Sequence, residues 1–174
     1  MSGLLRKLFE YQAWANSELF DTLLTLDPKA NEGELVTGLR LMNHAHVVAR
    51  IFAGHLCGAR HGYRSDNTAD TPSLDELRAA VASSDRWYVD YLGKVSPAEL
   101  SATIAFTFTD GDKGAMSREE MLMHVALHGG YHRGEVGRIV WRLGITPPWD
   151  TFAVHLHQAE PARRLQGEVR SMSA

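Results

Sequence analysis

An all-α four-helix bundle carrying one short hairpin is the fold class this sequence predicts, and three observations predict it. Four long segments repeat apolar residues every three or four positions. One stretch alternates with period two and runs into an Asp-Gly pair. The 174 residues, 44% hydrophobic and 22% charged, suit one globular domain able to bury most of its apolar surface. No internal repeat, low-complexity tract or linker divides the chain, so one domain is expected over residues 1–160, followed by a polar tail over 161–174.

In the first helix, Leu5, Leu8, Ala15, Leu19, Leu23 and Leu26 form a stripe from about residue 3 to Leu26, ended by Asp27-Pro28. A second helix fits Glu34 to Ala59, where Leu41, His44, Val48, Ile51 and His55 share one face. Gly58 and a Gly-, Ser-, Asp- and Asn-rich stretch from His61 to Thr71 close it and form the longest loop. Ser73 and Glu76 make a capping box for a third helix reaching about Leu92. The stretch from Thr103 to Thr109 then alternates and meets Asp110-Gly111, which predicts a short strand or hairpin arm. Ser117 and Glu120 cap the fourth long helix, Arg118 to about Leu143, stopped by Gly144 and Pro147-Pro148.

Composition excludes several classes of function. Eighteen Lys and Arg against 21 Asp and Glu give a formal charge of -3 without a basic block, so nucleic acid is not an expected partner. No apolar run approaches the ~20 residues that span a bilayer, and residues 1–7 lack a signal-peptide core, so a cytoplasmic protein is expected. Cys57 is the single cysteine; it can form no internal disulfide and reads as a small buried residue. The motifs of di-iron bundles, zinc proteases, nucleophile elbows and phosphate or dinucleotide loops are all missing.

Nine histidines are the oddity of the composition. His124, His128 and His132 follow one another at four-residue intervals in the fourth long helix. Residues four apart differ by ~40° around a helix, so His128 and His132 can chelate one ion together. His124 and His132 diverge by ~80° and lie ~12 Å apart along the axis, too far for a common ion with ~2.1 Å bonds. A third ligand must come from another helix. His44 is the candidate because it occupies the apolar seam of the second helix, whereas His46 lies ~200° away from it. The competing reading is that these are core histidines satisfied by hydrogen bonds; the chelating pair and the cost of burying several unpaired imidazoles argue for metal. His124 lies outside the ligand set, and His55 reads as a helix-end or core histidine.

Glu135, three residues past His132, can orient a ligand or move a proton, or it can pair with Arg138 or Arg142. Gly129, Gly130, Gly134 and Gly137 in the same helix each cost up to ~1 kcal/mol relative to Ala, and close packing is the expected compensation for most of them.

At these residues the chain resembles the DinB family, within the DinB and YfiT-like superfamily, over nearly its whole length to about Leu156. The resemblance rests on Tyr11-Gln12-Ala13-Trp14-Ala15-Asn16, on Leu41-Met42-Asn43-His44, on His124 to Gly134, and on Pro147-Pro148 with Asp150. It implies an up-down-down-up four-helix bundle, often a homodimer, with one divalent metal ion per chain held by His44, His128 and His132. Zinc and nickel are the metals it implies first; iron and copper also suit three imidazoles. Its relatives include S-transferases that use low-molecular-weight thiols, bacillithiol or mycothiol, and a maleylpyruvate isomerase. Glu135 stands where the family commonly has glutamine, and Phe52 where it commonly has tryptophan. The expected function is therefore a metal-dependent enzyme, thiol transferase or hydrolase, acting on a small-molecule substrate, with Glu135 as the candidate catalytic residue. The alternative is a non-catalytic metal-binding stress-response bundle.

Overall fold

The computed structural model describes residues 2–164. Its order is α1 (Ser2–Leu23), α2 (Glu32–Cys57), α3 (Leu74–Leu92), α4 (Pro97–Ser101), β1 (Thr103–Thr107), β2 (Lys113–Ser117), α5 (Arg118–Arg142) and α6 (Phe152–Ala159), then a 3-10 turn over Pro161–Arg163. The chain is mostly helical with one small antiparallel sheet. The expected polar tail lies outside the described residues from 165 onward. No helix among the described residues is long and apolar enough to cross a membrane.

The ends of the long helices follow from their caps. Ser73 and Ser117 each accept from the backbone N–H three residues on, while Glu76 and Glu120 reach back, completing the two expected capping boxes. Gly58 takes a left-handed φ of 65° and closes α2, with the Ala59 N–H donating to the Gly54 carbonyl at 2.9 Å. In the hairpin Phe106 pairs with Gly114, and Gly111 makes the turn at φ 99°.

Two elements correct the expectation of four helices. Ser96, Pro97 and Glu99 build a third capping box for α4, with proline at the first turn, where its missing N–H costs nothing. After Thr151, α6 lies on the outer face of α1, with Phe152 5.6 Å from the Tyr11 ring and His155 5.4 Å from Trp14.

Both α1 and α2 pack against α3 and α5. The core between them is divided. Phe9, Phe52, Tyr88, Leu122 and their neighbours fill the end beneath the hairpin, and Phe20, Leu23, Leu77, Val136 and Val140 fill the other. Between the two lies a buried polar layer of Gln12, Asn16, Asn43, Ser84, Asp85, His132 and Arg133. Such a layer holds its hydrogen bonds only in one register, so it fixes how the helices rotate and slide.

Candidate metal centre

His44 projects from the middle of α2, and His128 and His132 from successive turns of α5. One ring nitrogen of each lies within 4.8 Å of those of the other two. His128 Nε2 is 3.2 Å from His44 Nε2 and 3.1 Å from His132 Nε2. A tetrahedral ion with ~2.1 Å bonds separates its ligand nitrogens by about 3.4 Å, and a facial octahedral one by about 3.0 Å. Both separations fall between these values, and the His44 and His132 nitrogens lie within 4.8 Å of each other.

Proton positions follow from the outer ring nitrogens. His44 Nδ1 lies 2.8 Å from the Asp66 carbonyl oxygen, which can only accept, so Nδ1 carries the proton and a neutral His44 turns a bare Nε2 inward. His132 Nδ1 donates in the same way to Glu135 Oε2 at 2.6 Å. Burial, followed by the neighbouring histidines, holds His128 down at about 4, so it is a neutral imidazole at pH 7. Lone pairs converging on one point repel each other unless a cation or shared protons lie among them, and this donor set suits a divalent transition metal.

A model of the DinB family matches residues 1–165. The chain belongs to the DinB family. Searches of curated proteins and of solved structures found no match.

The loop after α2 positions His44 in this DinB chain. Arg40 donates to the Thr68 carbonyl at 2.6 Å, and Asn43 donates to the side chains of Asn67 and Thr68, which lays the loop along α2 and delivers the Asp66 carbonyl to the imidazole. His132, 8% exposed, is held by Glu135 one turn on; of the two readings open for Glu135, its partner is the histidine. His124 stands beyond the trio, stacked on His128 at 5.4 Å and against Phe52 at 4.7 Å. His46 faces the other way, toward the polar layer, where burial lowers it to about 4.

Spacing gave no reason to single out what lies behind α5. Arg133, 3% exposed, donates to Asp150 at 2.8 Å and to Asn16 at 3.2 Å; Asn16 donates to Asp85 at 2.9 Å, and the Tyr11 hydroxyl to Asp150. These bonds tie the far side of α5 to α1 and so fix the rotation that aims His132 at its partners. Tyr11, Asn16, Arg133 and Asp150 all lie within the segments that carry the family resemblance. Asp66 and Asp85 had no sequence signal.

One expectation needs correction. Cys57 is exposed, because it lies off the α2 seam on the face opposite Val48, while the neighbouring Leu56 is buried. The α5 glycines follow the packing expectation at Gly129, Gly130 and Gly137, where a Cβ would meet Gln12 Oε1 at 3.1 Å, Arg133 at 3.7 Å and Pro147 at 3.6 Å; Gly134, with nothing within 4 Å, is the exception.

Proposed function

We propose that this chain is a metal-dependent enzyme in which His44, His128 and His132 hold one divalent ion, zinc or nickel first, with iron and copper as alternatives. The observation that supports it most is the convergence of three ring nitrogens, two of them on rings whose other nitrogen is committed to an acceptor. An ion bound there supplies a Lewis acid that lowers the pKa of a thiol or water.

The protein's own groups set the conditions for that chemistry. Three protein ligands leave coordination positions open, which separates a catalytic from a structural role. The Asp66 carbonyl and Glu135 keep two of the imidazoles in the tautomer a metal requires. Glu135, its side chain 38% exposed, is the candidate to take up the proton released when a thiol or water is activated. Thiol transfer ranks above hydrolysis because of family membership.

The same reading takes residues 1–160 as one up-down-down-up four-helix bundle, cytoplasmic and homodimeric, working on a small molecule and a low-molecular-weight thiol. Anaerobic purification with elemental analysis, followed by a screen of such thiols against electrophiles, tests it. Turnover that survives complete metal removal overturns the mechanism, and a fourth protein ligand on the ion favours the non-catalytic alternative.

A further inference from the structure

Beside the histidine trio lies a cavity of 210 Å³, with His44 and His128 at one end and the hairpin at the other. Ile104, Phe106 and Phe108 share the inward face of the hairpin by their period of two. Phe106 and Phe108 meet edge to face at 4.7 Å, and Phe52 of α2 meets Phe106 at 5.9 Å in the same manner. Val48 and Ile51 complete an apolar wall. Gly114, opposite Phe106, makes room for this: a Cβ there would come within 2.8 Å of Phe108 and 2.9 Å of Phe106. The rest of the lining is polar: four imidazoles, Thr109 and two aspartates. His55 borders the cavity and its buried Nε2 has no hydrogen-bond partner, while Asp66 and Asp110 also line it.

We propose that this cavity seats a single six-membered aromatic ring with a short polar substituent. Its size decides the ring count: an apolar cavity of about 150 Å³ takes up benzene, so 210 Å³ holds one ring and a substituent of a few atoms. Its walls decide the kind of ring, because phenylalanine edges and faces at these angles favour another aromatic in edge-to-face or offset contact. The substituent then points to His44 and His128 at the end of the cavity. Only the direction toward the histidine trio rests on the metal-centre reading; the seat of the ring does not.

Benzyl alcohol is the probe. It is titrated into the full-length protein as purified, while the ¹³C-methyl signals of Val48 and Ile51 are followed and the metal content of the same sample is measured. Saturable shifts at these methyls are expected. Phe108→Ala, at a residue already 44% exposed, should stay folded, with a melting temperature lowered by a few degrees at most, and weaken benzyl alcohol about tenfold. Gly114→Ala, which must displace both rings, should weaken it as well. Methyls that do not move, a Phe108→Ala affinity equal to the parent's, or tighter binding of tetramethylammonium would each overturn the proposal. Shifts in a sample that takes up no metal keep the ring site and sink the metal reading; a metal-loaded sample with unmoved methyls does the reverse.

Discussion

Replacing Asp85 by asparagine should stabilise the protein at neutral pH and leave it unchanged in acid. Asp85 is 6% exposed in the polar layer, and the nearby Arg133 is already paired with Asp150. Burial raises its carboxyl from 3.8 to about 6, against the lowering effect of the bond from Asn16 and the charge of Arg133. A rise of about two units corresponds to about 3 kcal/mol. Because the folded-state pKa is the raised one, the folded protein binds more protons than the unfolded chain between pH 4 and 6. The contribution of Asp85 is therefore fully present below its unfolded pKa and lost as pH rises through about 6. An amide cannot ionise, and its oxygen can still accept from Asn16; the strength that bond gains from the charged acid is already contained in the pKa of about 6. Asp85→Asn should thus match the parent at pH 4 and exceed it by about 3 kcal/mol at pH 7.5. Urea unfolding of both proteins in chelator, at several pH values across this range, reads the difference directly and keeps metal linkage out of it. A difference that does not change with pH would refute the argument.

Two other outcomes follow from the site and the family. Glu135→Gln, whose amide oxygen can still accept from His132 Nδ1, should keep stoichiometric metal, whereas Glu135→Ala should weaken metal affinity at least about tenfold in a chelator competition; equal affinity in the alanine variant would remove Glu135 from the site. Light scattering at micromolar concentration should give the mass of a dimer, and a monomer would end the proposal of self-association.

The long helices were legible because burial imposes a 3.6-residue period on them and because Ser73 and Ser117 sign their starts in the sequence. Ser96 and Glu99 carry the same signature before α4, but five residues are too few to show a period, and only the cap could have revealed them. The outer helix α6 has no buried residue, so its sequence lacks the stripe that exposes a helix; its partners, Tyr11 and Trp14, lie on a face of α1 that the first helix's apolar stripe did not include. Within the site, His128 and His132 were readable from helical geometry alone and His44 from its place in a seam. Asp66 was not, since it contributes a backbone carbonyl that any residue would supply. Nor was the bond from Asn16 to Asp85, which joins residues 69 apart whose spacing carries no pattern.

The central claim is that His44, His128 and His132 hold one metal ion, and the most direct measurement is elemental analysis of protein purified anaerobically beside His132→Ala and His46→Ala. About one ion per chain is expected in the parent and in His46→Ala, whose ring faces the polar layer, and almost none in His132→Ala. Full occupancy in His132→Ala, or its loss in a folded His46→Ala, would contradict the assignment.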